Sequence, residues 1–162
     1  RFWPSRAHHS VAKHTTRTTK LKNMQRTKLT NSRKLKIGYT SGVFDLLHEG
    51  HIRYVTSCQS LCDILIIGVD SDRRVKIRKG DHRPILTEKI RHLTVSQINK
   101  HTFIKRLNSK YYIEKLSADI IFISSDRKHK LKKLNSKYPT KEIITLPYTQ
   151  QISTSLIISK NA

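Results

Sequence analysis

Acidic residues are scarce in this chain of 162 residues: 11 Asp and Glu stand against 33 Lys and Arg, a formal charge of +22. None of them precedes Asp45. Charge of that sign attracts anions, whether nucleotides, phosphorylated metabolites, nucleic acid or an acidic membrane surface, and does not choose among them. Long apolar runs are also missing. Nothing approaches the roughly 20 residues of a membrane span, and no secretory signal is visible, so no span is expected and a cytoplasmic location is. Cysteine is limited to Cys58 and Cys62, four apart on what reads as one helix. They are expected as small core residues in a reducing compartment; with no second cysteine pair, no metal site is expected from them.

Residues 1–34 contain no run able to bury a core. They are rich in Thr, Ser, Lys, Arg and His, a composition that stays solvated, and are expected to form a basic, disordered N-terminal extension. Three readings of it stay open. Basic, Ser/Thr-rich and free of acids, it fits an organellar targeting peptide. It also fits a nucleic-acid-binding arm, although it carries no recognisable motif. The favoured reading is upstream sequence not native to the protein, with the true start at Met24, the only methionine.

From Leu35 onward, apolar runs alternate with helical spacing. Leu35 to Thr40 reads as a first strand ending at Ser41-Gly42, and His48 to Ser60 as a helix with Ile52, Val55, Cys58, Leu61 and Cys62 on one side. Asp63 to Val69 is almost wholly apolar, the mark of a strand covered on both faces of a parallel sheet. Thr87 to Ile98 repeats Ile90, Leu93, Val95 and Ile98 at helical spacing. Thr102 to Ile104 predicts a weak third strand, Tyr111 to Leu116 a short helix, and Ile120 to Ile123 a fourth strand. Arg127 to Leu134 predicts a basic helix, Glu142 to Leu146 a fifth strand, and Ser153 to Ser159 a closing helix. Strands separated by helices imply right-handed crossovers. The expected fold is therefore α/β, a Rossmann-like doubly wound parallel sheet in one domain over residues 35–162. Ligands bind such sheets beyond the carboxyl ends of the strands, so the places to look lie after Thr40, after Val69, after Ile123 and around Ser153.

The segment Gly42-Val43-Phe44-Asp45-Leu46-Leu47-His48-Glu49-Gly50-His51 joins the first strand to the first helix. Free backbone N–H groups and the helix dipole favour an anion there. Gly50 permits close backbone approach, and His48 and His51 can donate hydrogen bonds to phosphate oxygens. A zinc-protease helix is excluded in practice, because Ile52 stands where that motif needs its second His. Asp45 could act simply as a brace for the turn. Ser153 and Thr154 read equally well as a helix cap and as a phosphate cradle, since both use one helix end.

This segment resembles the H-x-G-H signature of the cytidylyltransferase-like superfamily. Its G-x-F-D-x-L-H lead resembles the branch containing glycerol-3-phosphate cytidylyltransferase and heptose-phosphate adenylyltransferase. Two further blocks agree. Val69-Asp70-Ser71-Asp72 followed by Lys79-Gly80-Asp81-His82-Arg83-Pro84-Ile85 resembles the K-G-x-x-R-P loop of the heptose enzymes. Ile152 to Ile158 resembles the family's I-S-T-T-x-I-I motif. The resemblance implies an enzyme that moves AMP or CMP from ATP or CTP to a phosphorylated sugar or polyol and releases pyrophosphate. It implies His48, His51, Lys79 and Arg83 as catalytic residues. Gly42, Val43, Phe44, Gly50, Asp126, Ser153, Thr154 and Ser155 would complete the nucleotide site with the two histidines. Magnesium would arrive with the triphosphate rather than in a protein cage. The nearest families commonly form dimers, so the resemblance allows a homodimer.

Departures concern the pockets more than the reaction. Tyr148 stands where the family often has Arg, and Gln151 replaces a flexible glycine. Ser124-Ser125-Asp126-Arg127 keeps the Asp of a Gly-Asp-aromatic segment and loses its neighbours; Arg73-Arg74 replace small residues. An alternative from another class is a basic nucleic-acid-binding protein on an inactive version of this fold. The run Arg127-Lys128-His129-Lys130-Leu131-Lys132-Lys133 supports that alternative, and the absence of a base-reading motif opposes it.

Overall fold

The computed structural model describes residues 33–147 and residue 159. Met24, the extension up to residue 32 and the Ser153–Thr154–Ser155 block lie outside the described residues, as does all of the expected closing helix but Ser159.

Five strands form one parallel sheet: β1 (Ile37–Gly42), β2 (Ile64–Asp70), β3 (Thr102–Lys105), β4 (Ile120–Ser124) and β5 (Glu142–Leu146). Their order across the sheet is β3-β2-β1-β4-β5, and each neighbouring pair is parallel. Between them lie helices α1 (Glu49–Gln59), α2 (Asp72–Lys79), α3 (Glu88–Ser96), α4 (Ser109–Lys115) and α5 (Leu131–Lys137), with a 3₁₀ segment at Ser125–Lys130. The chain leaves β1 in one direction to build β2 and β3, then returns to build β4 and β5. The expected doubly wound sheet is therefore present, with its order reversing at the β1–β4 crevice.

The two faces of the sheet are covered separately because successive side chains along a strand point to opposite sides. Val55 and Cys58 of α1 and Val95 of α3 pack with Leu65, Ile67, Ile120 and Phe122 on one face. Tyr39 and Ile121 pack on the other with Ile113 of α4, Ala118 and Tyr138. Burying a side chain the size of Ile67, which is fully buried, stabilises by about 1.5–3 kcal/mol. Cys58 is a buried core thiol and Cys62 is half-buried, both unpaired, as the sequence reading anticipated. Gly38 is fixed by packing: a Cβ there would lie 2.6 Å from the Phe122 ring and 2.7 Å from Cys62 Sγ.

Five expectations need correction. β1 runs on through Ser41 and Gly42, paired with Gly68 and Val69, and does not end before them. Helix α2 was absent from the sequence reading: Asp72 to Lys79 is strongly polar and buries only Val75, so it carries no apolar stripe to detect. Helix α3 turns a different face inward. Ile90 and Leu93 are exposed, while Arg91 and Val95 are buried. Likewise Ile52 and Leu61 of the first helical stretch are exposed. Finally, the basic stretch after β4 is not one helix but the 3₁₀ segment followed by α5, whose backbone continues to Lys137.

Candidate active site at the carboxyl ends of β1 and β4

A cleft of about 420 Å³ opens beyond the carboxyl ends of β1 and β4, at the point where the strand order reverses. Gly42, Val43, Phe44, His48, Gly50, His51, Lys79, Arg83 and Asp126 all line it. The topology thus gathers every described candidate site residue into one cavity, although these segments lie far apart in sequence.

The β1–α1 loop is strained. Phe44 and Leu46 have φ of 51° and 47°, in the left-handed region that bulky residues rarely adopt. Gly42 makes room for this turn, since a Cβ on it would stand 3.1 Å from Phe44 Cε2. His48 is the N-cap residue of α1, yet its side chain makes no capping hydrogen bond; only its carbonyl enters the helix, accepting from His51 N at 2.9 Å. Its imidazole stacks on that of His51, with centroids 3.9 Å apart, and the Phe44 ring flanks His51 at 5.4 Å. The Nδ1 atoms of both histidines are buried and make no hydrogen bond among the described residues. Burial, reinforced by neighbouring His48, pushes the His51 pKa down to about 4. Burial also lowers that of His48. Both rings are thus neutral near pH 7, where each retains one N–H donor.

Lys79 sits at the C-terminal end of α2 rather than in a loop. Burial lowers its pKa, and the nearby cations Arg83, Arg127 and Arg78 lower it further, the signature of crowded positive charge. Arg83 faces differently from the sequence expectation of a free phosphate contact. It is 6% exposed and ion-paired with Asp45, its Nη2 3.0 Å from Oδ2. Asp45 also accepts from the backbone N–H groups of Ile85 and Leu86 at 2.9 and 3.0 Å. The aspartate of the lead segment is therefore a brace, holding the Lys79-to-Leu86 connection against the β1–α1 loop. Asp126 accepts a short hydrogen bond from Ser124 Oγ at the cleft edge.

Sequence reasoning missed Arg91, which carries no motif and lies between the apolar positions of α3. Its guanidinium is wholly buried and donates to Leu86 O at 2.9 Å, Val43 O at 2.5 Å and Asp70 O at 2.9 Å, with Asp72 Oδ1 at 2.6 Å. One side chain thus clips together the three loops that wall the cleft. Lys105 was missed as well, and Asp70 was noted only within the block after β2: both are buried, and Lys105 Nζ donates to Asp70 Oδ1 at 3.0 Å and to Ser41 Oγ at 3.1 Å. A buried Arg or Lys leaves no local sequence signal, because its partners come from other segments.

No helix among the described residues is long and apolar enough to cross a membrane. Nor does any cluster of three His, Cys, Asp or Glu residues among them have the arrangement of a metal centre. The charged side chains that line the cleft are mostly cations, suited to phosphate oxygens.

Comparison with known proteins agrees with this geometry. The chain is 36% identical over 128 residues to the bifunctional protein HldE of Helicobacter pylori (strain P12), covering 77% of this chain and 27% of that protein. It is 35% identical over 130 residues to HldE of Helicobacter acinonychis, covering 78% and 28%. The chain therefore spans about a quarter of the length of these relatives. The crystal structure of a lipopolysaccharide core biosynthesis protein from Thermoplasma volcanium superposes with a TM-score of 0.63 at 25% identity, covering 72% of this chain and 99% of that one. The cytidylyltransferase-like family model matches residues 39–160, which contain both histidines, the α2–α3 connection and the C-terminal Ser-Thr block. With its paired imidazoles at the opening of α1 and its cleft at the sheet's reversal point, the chain belongs to the cytidylyltransferase-like family.

Proposed function

We propose that this protein transfers a nucleotidyl group, AMP from ATP or CMP from CTP, to the phosphate of a sugar or polyol phosphate and releases pyrophosphate. The observation that carries the reading is the His48–His51 stack at the start of α1, with both Nδ1 atoms buried and unpartnered in a cationic cleft. Family membership and the similarity to HldE support it.

An acceptor phosphate oxygen attacks the α phosphorus in line, forming a new P–O bond. The bond between the α phosphorus and the bridging oxygen breaks, and pyrophosphate leaves with the electron pair. The attacking oxygen is already anionic near pH 7, so no general base is needed; orientation and charge stabilisation do the work. His48 and His51 donate to triphosphate oxygens, and the approaching anion raises their proton affinity. Lys79 meets the phosphates directly. Arg83 adds positive potential while its pairing with Asp45 keeps the loop in place. Gly42, Val43, Phe44 and Gly50 bring the loop backbone against the nucleotide, Asp126 borders its pocket, and the family resemblance assigns Ser153, Thr154 and Ser155 to the outer phosphates. Magnesium carried by the triphosphate would neutralise part of its charge, while Lys79 and the two histidines would meet the remaining phosphate oxygens. The Lys79-to-Pro84 block favours ATP and a sugar 1-phosphate, by its resemblance to the heptose enzymes. A homodimer remains part of the reading, measured by sedimentation of the purified chain.

The test is a screen of four triphosphates, with magnesium, against several sugar and polyol phosphates, scored by pyrophosphate release. His51→Ala is expected to lower turnover by about a hundredfold or more, the scale of a lost transition-state charge contact. Unchanged turnover in that variant removes His51 from the mechanism. No release with any triphosphate, together with salt-sensitive binding to RNA or DNA, favours the nucleic-acid-binding alternative.

A further inference from the structure

The cleft carries a second concentration of positive charge, on the β2–β3 side of β1 and away from the β1–β4 crevice. Its centre is Asp70, at the carboxyl end of β2 and 1% exposed. Asp70 Oδ1 accepts from Lys105 Nζ at 3.0 Å, and Oδ2 accepts from Arg78 Nη2 at 2.6 Å. Arg74 Nε lies 3.6 Å from Oδ1, buried and without a hydrogen bond of its own. Three cations thus surround one carboxylate, leaving two positive charges uncompensated. Arg106 is not part of this set, because its guanidinium pairs with Glu88 at 3.1 Å. Burial would raise the Asp70 pKa, but Lys105 and Arg78 outweigh it and hold the carboxyl below its ordinary value, so the carboxylate is already ionised.

Ser41 joins this cluster to the crevice. Its hydroxyl accepts from Lys105 and lies 3.5 Å from Ser109 Oγ, while its carbonyl accepts from Arg127 at 3.4 Å. Helix α2 supplies both regions, sending Arg74 and Arg78 to Asp70 and Lys79 toward the His51 side. All of these side chains except Asp70 line the same cleft. A ligand reaching from the histidines toward β3 therefore meets two separate cationic regions.

Resting on the transfer reading above, we infer that the acceptor carries a second acid group besides the phosphate that attacks, and that Arg74, Arg78 and Lys105 receive it. A partly desolvated excess of positive charge favours an anion strongly, and guanidinium groups hold carboxylate or phosphate oxygens in a fixed fork. An acceptor with only one anionic group would leave those charges facing neutral hydroxyls.

The test is calorimetric titration of the full chain, held with magnesium and a non-hydrolysable triphosphate analogue, with two matched pairs of probes. Glycerol 3-phosphate and 3-phosphoglycerate differ by one carboxylate. Fructose 6-phosphate and fructose 1,6-bisphosphate differ by one phosphate. In at least one pair the probe with two acid groups is expected to bind about tenfold tighter or more, the worth of a charge-assisted hydrogen bond, and the pair that shows it identifies the acid. Arg78→Gln and Arg74→Gln, whose side chains are 40% and 28% exposed, are expected to erase that preference while leaving the affinity for glycerol 3-phosphate and the triphosphate analogue unchanged. Equal binding within both pairs, or a preference that survives both substitutions, overturns the inference. The titration does not need turnover. A missing pyrophosphate signal therefore counts against nucleotidyl transfer alone, and equal binding counts against the second acid group alone.

Discussion

Asp45, in the β1–α1 loop, and Arg83, beyond α2, form an ion pair at 3.0 Å in which both side chains are almost wholly buried. The carboxylate also accepts two backbone N–H groups, from Ile85 and Leu86. The site is thus built from two loops that hold each other, and the family's Asp and Arg are read most directly as one structural unit.

Removing one partner of such a pair strands the other. Asp45→Ala is expected to lower unfolding free energy by about 3–5 kcal/mol, the usual cost of an uncompensated buried charge. Urea denaturation measures it. A loss under about 1 kcal/mol would mean the pair is solvated in solution and worth no more than a surface one.

Arg91 has four partners on three separate loops. Arg91→Met keeps the apolar stem but strands the carbonyls of Val43, Asp70 and Leu86. Each stranded acceptor costs about 1–3 kcal/mol, so a drop of several kcal/mol is expected by thermal or chemical unfolding. Near-native stability in this variant would show that the three loops do not depend on the clip.

The depressed pKa of His51 makes a signed prediction. Its value is about 4 in the folded chain against 6.5 for the ordinary group. Between those values the unfolded chain binds a proton that the folded chain does not, so stability falls as pH drops through that window. The slope approaches about 1.4 kcal/mol per pH unit for one group. His51→Gln is expected to flatten that part of the profile. Triphosphate binding should raise the His51 pKa and take up protons near pH 6, which calorimetry in two buffers of different ionisation enthalpy detects. Proton release on binding would contradict the assignment.

Two glycines on β1 should respond in opposite ways. Gly38→Ala drives a Cβ to 2.6 Å from Phe122 and 2.7 Å from Cys62 in the core, at a cost of about 1–3 kcal/mol in stability. Gly42→Ala meets only the edge of Phe44, at 3.1 Å, and that ring flanks His51. It is expected to cost less than about 1 kcal/mol in stability yet slow the proposed turnover several-fold, through a shifted β1–α1 loop. Equal stability losses at the two positions would contradict this division.

Much of the sheet was legible without coordinates. The apolar runs of β2 and β4 announce strands covered on both faces, and Glu142 to Leu146 has the bounds expected for β5. The H-x-G-H turn and its lead segment marked the cleft, because the β1–α1 junction is a local feature of chain order. The α3 face was misread because Ile90 and Leu93 have the spacing of a buried stripe, while the α3 side that packs inward presents Arg91 and Val95. Apolar periodicity locates a helix, but it does not say that a guanidinium will be buried as fully as its valine.

The sequence by itself determined the parallel α/β sheet, the place of the cleft and the family, since each follows from hydrophobic period and a contiguous motif. Only the tertiary structure decided which charges remain for a ligand. Arg83 is drawn to Asp45 and Arg91 to three carbonyls, leaving Lys79 and the two neutral imidazoles facing the crevice, while Arg74, Arg78 and Lys105 outnumber the one carboxylate of Asp70 on the β3 side. The reason is physical. Hydrophobic patterning acts between near neighbours in sequence, whereas the partner of a buried charge is set by which distant loops the strand order brings to one edge of the sheet.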